Sequence, residues 1–115
     1  MSVSLTTAQE LLGLFELDNA GKVLYYRKDL AGEPGGVSMD IVGQNFYNEV
    51  AHFENVDEFR RCVTEFTSSA TAADSFDFEC RYEGSAHLVK VLLARIRENL
   101  NRNNTKSVLV YLKRK

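Results

Sequence analysis

The 115-residue chain contains no tryptophan, one proline and two cysteines. Two cysteines do not make the framework of a small disulfide-rich protein, and we interpret Cys62 and Cys80 as buried, reduced thiols that act as small hydrophobes. A membrane span requires roughly 18 consecutive apolar residues, and no run of that kind is present. The N-terminal MSVSLTTAQE also lacks the apolar core of a signal peptide. These absences predict a cytoplasmic protein that does not interact with a membrane.

The chain also lacks an excess of charge of either sign, with 14 basic and 16 acidic residues and a formal net charge of −2. Because the lysines and arginines are scattered, they provide no electrostatic footprint for nucleic acid. The length suits one domain that buries a core without cross-links. There is no internal repeat or linker, so the sequence predicts a single domain over residues 1–115.

Catalytic and metal-binding motifs are missing as well. There is no serine-elbow motif, metal-binding helix or P-loop, and the glycine-rich stretch AGEPGGVS has neither phosphate-binding nor dinucleotide-binding spacing. Asp40 and Glu49 flank a glycine-asparagine segment, and carboxylates near helix starts usually act as caps or solvating charges. The sequence therefore predicts no enzyme, no catalytic residue and no metal site.

The N-terminal third predicts a short helix followed by a β-hairpin. Thr7 and Glu10 have capping-box spacing, which favours a helix at about residues 7–12. The segment GLFELD then alternates, with Phe15 and Leu17 on one face. The sequence DNAG at 18–21 is typical of a tight turn, and KVLYYR resumes the extended conformation.

The middle of the chain has a helical pattern. Asn45 is placed to cap the run FYNEVA, and Asn55 with Glu58 has the spacing of a second cap. Apolar residues then recur at steps of three and four, which predicts a helix of about 12 residues whose inner face contains Val56, Phe59, Val63 and Phe66.

The last third predicts three antiparallel strands, which gives an α+β fold with a five-stranded sheet and helices on one face. In the first of these strands, FDFECRYE, apolar and charged residues alternate. In the other two strands both faces are mostly apolar, although an antiparallel sheet usually keeps one face in water. We therefore expect a second subunit to cover the outer face at Leu88, Leu92, Leu109 and Tyr111. The alternative is that the N-terminal helix and the long loop cover it.

The segments DNAGKVLYY, GQNFYNEVA, EFRRCVTEF and FDFECRYE together resemble a PAS domain, with a core at about 13–114, and in particular the photoactive yellow protein family. The resemblance implies the PAS fold. In that family a cinnamoyl-type chromophore is thioester-linked to a cysteine, and a tyrosine and a glutamate hold its phenolate. The cysteine position corresponds to Phe53, the tyrosine to Tyr26 and the glutamate to Leu30.

The resemblance therefore implies a family scaffold without the family's chromophore. Phenylalanine offers no thiolate for a thioester, and Gly43-Gln44-Asn45-Phe46 has no thiol for a flavin adduct. Haem would require an axial ligand such as His52 or His87, and neither lies in a matching motif. A zinc site from these histidines and the two cysteines lacks paired ligand spacing. We expect no cofactor.

Two functions remain open. In the first, the chain is a sensory and signalling module that binds a small apolar ligand in a pocket lined by Tyr26, Leu30, Phe46 and Phe53, or signals by dimerising and engaging a separate signalling protein. In the second, these side chains fill the core and the domain is purely an interaction and dimerisation platform. A haem-binding sensor is a weaker alternative.

Overall fold

The computed structural model describes residues 12–28, 41–82, 84–97 and 105–114. Its strands form one antiparallel sheet in the order β2-β1-β5-β4-β3, which confirms the predicted five-stranded α+β architecture. The strands are β1 (Gly13–Leu17), β2 (Val23–Lys28), β3 (Ala73–Tyr82), β4 (Ser85–Arg97) and β5 (Thr105–Arg114). Of the predicted N-terminal helix, only Leu12 lies within the described residues.

The predicted hairpin is formed by β1 and β2. Its turn is stabilised by Asp18, whose Oδ1 accepts hydrogen bonds from the N–H groups of Ala20 at 2.9 Å and Lys22 at 2.8 Å. Gly21 has a φ of +91°, a conformation that residues with a side chain rarely adopt. A Cβ atom at this position would lie 2.8 Å from the Tyr47 ring, so a side chain here would disturb the adjacent helical turn.

The helical middle consists of one π-helical turn (Phe46–Val50, the π-turn) and the helix α1 (Val56–Ser68). Asn45 caps the π-turn as predicted, because its side-chain oxygen accepts from the N–H groups of Tyr47 and Asn48. Its amide nitrogen also donates to the Ala20 carbonyl at 3.0 Å. One side chain therefore fixes the π-turn against the β1–β2 hairpin.

Asn55 occupies the N-cap position of α1, as predicted, and its carbonyl accepts from the N–H groups of Glu58 and Phe59, but its side chain makes no capping hydrogen bond. The Asn55 Nδ2 donates to the Glu79 carbonyl at 2.7 Å, and its Oδ1 accepts from the Arg81 N–H at 3.1 Å. This carbonyl and this N–H lie on the outer edge of β3, which has no neighbouring strand in the described sheet. The side chain pairs with that edge rather than with its own helix.

The hydrophobic core lies between one face of the sheet and the two helical elements. The predicted stripe of α1 faces it, with Phe59, Val63 and Phe66 buried and Val56 partly buried against it. The sheet contributes alternate residues whose side chains are almost fully covered, namely Phe15, Leu17, Val89, Val91, Leu93, Val108, Val110 and Leu112. The alternation read from the sequence therefore gives the correct inner face for β1, β4 and β5.

Neither cysteine forms a disulfide. Cys80 is buried on the inner face of β3, and this desolvation raises the pKa of its thiol to about 12. Cys62 is only half-buried beside the inner stripe of α1, so the prediction of a buried thiol is wrong there. In the described part of the chain, no helix has the length and apolar character needed to cross a membrane.

Candidate functional site

Eight aromatic side chains form a continuous cluster in the core. The cluster runs from β2 through β1 and the helical elements to β3, with neighbouring ring centroids 4.6 to 6.1 Å apart. Such spacings are those of favourable offset and edge-to-face ring contacts. We call this the aromatic cluster; its members are Phe15, Tyr26, Phe46, Tyr47, Phe53, Phe59, Phe78 and Tyr82.

Phe53 occupies one end of the aromatic cluster and is 3% exposed. Its ring contacts those of Phe59 at 5.9 Å, Phe78 at 6.0 Å and Tyr82 at 6.1 Å. The backbone next to it is tied to β3, because the N–H of Glu54 donates to the Arg81 carbonyl at 2.7 Å. Together with the Asn55 contacts, this bond holds the Phe53 ring over the inner face of the sheet.

Tyr26 occupies the other end of the cluster and is also buried. Its ring stacks on Phe15 with centroids 4.6 Å apart. Its hydroxyl lies 3.4 Å from the Leu12 carbonyl, to which it donates a long hydrogen bond. Phe15 in turn meets the fully buried Phe46 at 4.9 Å.

The structure thus brings three of the four predicted pocket residues, Tyr26, Phe46 and Phe53, into one cluster. Their rings do not contact one another directly. Phe15 lies between Tyr26 and Phe46, and Phe59 lies between Phe46 and Phe53. Leu30 lies outside the described residues. Phe15 and Phe59 are therefore central to this site, although the sequence marked them only as core residues.

A separate cleft of about 120 Å³ opens between α1 and the β1–β2 turn. One wall comes from three successive turns of α1, and the other comes from the turn at residues 18–21. Tyr26, Phe46 and Phe53 do not line it. The lining residues are Leu17, Asp18, Asn19, Ala20, Gly21, Tyr47, Arg60, Val63, Thr64, Thr67 and Val108.

Arg60 and Tyr47 form one end of this cleft. The Arg60 guanidinium carbon lies 5.3 Å from the centre of the Tyr47 ring, which is the arrangement of a cation–π contact. Burial raises the pKa of the Tyr47 phenol to about 12, and the charge of Arg60 opposes this rise. The phenol is therefore uncharged around neutral pH.

The predicted interface residues lie on the outer face of the sheet, and three of them are close together. Leu92 pairs directly with Tyr111. Leu109 pairs with Ala94, two residues further along the same strands. All three are half-buried. Leu88 is separate, since Lys90 lies between it and Leu92, and it is 50% exposed opposite Glu79.

The two histidines lie apart from the aromatic cluster's centre. His52 is exposed, and the exposed His87 meets the Tyr82 ring at 5.8 Å. Among the residues that the structure describes, no three His, Cys, Asp or Glu side chains are grouped as a metal site.

Comparison with known proteins gives a consistent set of relatives. No family model matches the chain. It is 30% identical over 83 residues to photoactive yellow protein of Halochromatium salexigens and 28% identical over 79 residues to that of Cereibacter sphaeroides. These matches cover 72% and 69% of this chain but 66% and 64% of the relatives, so the chain spans slightly less than two thirds of their length.

A solved structure has the same fold. The photoactive yellow protein domain of the sensor histidine kinase Ppr from Rhodospirillum centenum superposes with a TM-score of 0.58 at 20% identity. The superposition covers 95% of this chain and 98% of that domain.

Proposed function

Because the chain is a homologue of photoactive yellow protein and carries the PAS fold, we propose that it is a sensory and signalling domain that works without a covalently attached chromophore. The observation that carries the proposal is the position of Phe53. At the place where the resemblance puts the family's cysteine, this chain has a buried phenyl ring in contact with three other aromatic rings. A phenyl ring is not a nucleophile, so no thioester forms there.

The packing supports the version of this function in which side chains fill the interior. Phe15, Phe46 and Phe59 are all completely buried and join Tyr26 to Phe53 without a break in ring contacts. Protein interiors are packed as densely as organic crystals, so a ligand among these rings would have to displace side chains. Binding of a small apolar ligand by Tyr26, Leu30, Phe46 and Phe53 stays a prediction, as does the weaker haem alternative.

For the output of the module, we propose that the outer face of the sheet binds a second copy of the chain. Leu14, Tyr111 and Leu92 lie side by side on β1, β5 and β4, and Leu109 extends this apolar row. Cross-strand neighbours Lys90 and Lys113 border the row, as expected of an apolar interface centre with a charged rim. A two-fold dimer suits one such patch, because each copy presents the same surface to the other.

We expect the wild-type chain to form dimers in sedimentation equilibrium, and Leu92→Glu or Leu109→Glu to weaken self-association by at least about 30-fold. The effect is this large because each glutamate would bury an unpaired carboxylate at the interface centre, and a cost of about 2 kcal/mol corresponds to about 30-fold in affinity. Leu24→Glu is the matched control, since Leu24 is an exposed leucine outside the proposed row. A strict monomer at high protein concentration, or a Leu109→Glu variant that dimerises like wild type, would refute the dimer.

The remaining parts of the proposal concern the cellular role. We propose that a separate signalling protein receives the output, that the domain acts in the cytoplasm and that it performs no catalytic step. None of the described residues supports a different role. The fold alone does not determine the function, which depends on the site.

A further inference from the structure

We propose that the cleft between α1 and the β1–β2 turn binds a short-chain monocarboxylate, with Arg60 as the partner of the carboxylate group. The cleft is a second site that shares only Tyr47 with the aromatic cluster, and nothing in the chain's resemblance to its relatives points to it. This inference goes beyond the proposed function and would stand even if the domain did not dimerise.

Three apolar side chains reach the cleft, whose lining is otherwise mostly polar. Leu17, Val63 and Val108 are 1%, 5% and 3% exposed and approach it from β1, α1 and β5. An engineered apolar cavity of about 150 Å³ accommodates benzene. A cleft of about 120 Å³ therefore has room for a chain of about four carbons.

The positive charge of the cleft comes from Arg60. Within the described part of the chain, its guanidinium has no carboxylate within salt-bridge distance. It packs over the Tyr47 ring instead. Stacking on an aromatic ring leaves the guanidinium edge free to donate two parallel N–H bonds to one carboxylate. Thr64, one turn further along α1, contributes a hydroxyl to the same wall.

The other polar groups around the cleft favour a single negative charge over two. Asp18 lies at the rim, but its Oδ1 already accepts two backbone N–H bonds, which compensates part of its charge. Tyr47 is uncharged near neutral pH because burial raises its pKa to about 12. The attraction by Arg60 and the repulsion by Asp18 both scale with the charge of the ligand, whereas the desolvation penalty scales with the square of that charge, so a monocarboxylate suits one guanidinium better than a dianion such as phosphate.

We would test the site by titrating ¹⁵N-labelled protein with sodium propionate at constant ionic strength, with sodium chloride as the reference salt. We expect saturable shifts of the amide signals of Asn19, Ala20, Gly21 and Thr64 with a dissociation constant of about 1 mM, which suits a ligand of so few atoms. Arg60→Gln should weaken binding by at least about tenfold. Arg61→Gln is the matched control, because Arg61 is the exposed neighbour on α1 and does not line the cleft.

A further variant separates the proposal from a general salt effect. Arg60→Lys keeps the charge but loses the planar fork, so it should bind with intermediate affinity. Shifts that do not saturate, that appear equally with chloride, or that are unchanged in Arg60→Gln would overturn the proposal. Because Arg60 also contacts the Tyr47 ring, the spectrum of each variant without propionate is compared with that of wild type, and unchanged signals away from the substituted residue show that lost binding does not come from a changed fold.

Discussion

Replacing Phe59 by alanine is expected to lower the free energy of unfolding by about 4 kcal/mol. The ring is completely buried and contacts Phe46 at 5.8 Å, Phe53 at 5.9 Å and Phe78 at 5.3 Å. Its removal takes away the apolar surface of the ring and leaves a cavity among neighbours on the π-turn, the connection to α1 and β3. A native domain is stable by only about 5–15 kcal/mol, so the loss is a large part of the total.

Urea unfolding followed by circular dichroism would measure this change, provided that the slope of the transition stays constant. Phe59→Leu keeps most of the volume and should cost less than half as much. Glu65→Ala, at an exposed position of the same helix, should change the stability by less than about 0.5 kcal/mol. A cost below about 1 kcal/mol for Phe59→Ala would mean that the aromatic cluster is loosely packed. It would contradict the claim that aromatic side chains fill the interior.

Replacing Arg95 by methionine is expected to lower the free energy of unfolding by about 3 kcal/mol, the second largest effect. Its guanidinium extends from the inner face of β4 to the end of α1. There it donates to the carbonyls of Phe66 at 2.8 Å, Thr67 at 3.1 Å, Ser69 at 2.7 Å and Thr71 at 3.1 Å. The last carbonyls of a helix have no partner within the helix and carry its partial negative charge, so a cation suits them.

The same guanidinium also lies over the Phe66 ring, with its central carbon 5.1 Å from the centroid. Arg95→Lys retains the charge but not the fork of donors, and it should recover about half of the loss. Arg61→Met removes an exposed arginine from α1 and should have an effect below about 0.5 kcal/mol. Equal stability of Arg95→Met and wild type would show that water replaces the arginine at the helix end without cost.

The predictable parts of the fold are those that depend on neighbours in sequence. The turn at 18–21 and the alternation around Phe15 specify the hairpin, because turn chemistry and a two-residue period act locally. The apolar steps from Val56 to Phe66 specify α1 for the same reason. Asn45 was predictable as a cap because its partners follow within three residues.

The unpredicted contacts depend on distant parts of the chain. Asn55 has the local pattern of a cap, yet its side chain bonds to β3 residues 24 and 26 positions away. Arg95 reaches carbonyls 24 to 29 positions away. The cleft combines residues of β1, its turn, the π-turn, α1 and β5, and periodicity does not reveal which surfaces of these elements face each other.

Part of the aromatic cluster was predictable, because Phe53 stands at the position that the resemblance assigns to the family's cysteine. It also suggested apolar lining by Phe46. It could not show that Phe15 and Phe59 lie between the predicted pocket residues, because that requires the relative positions of the sheet and two helical elements.

The central claim, that aromatic side chains occupy the interior in place of a chromophore or ligand, is tested most directly by comparing native and denaturing mass spectra of the dialysed protein. We expect the denaturing spectrum to give the mass of the unmodified 13.0 kDa chain and the native spectrum to give only whole multiples of it. An added mass larger than that of a short-chain acid that disappears on denaturation would reveal a bound ligand in the core, and one that persists would reveal a covalent group. Either result would contradict the account.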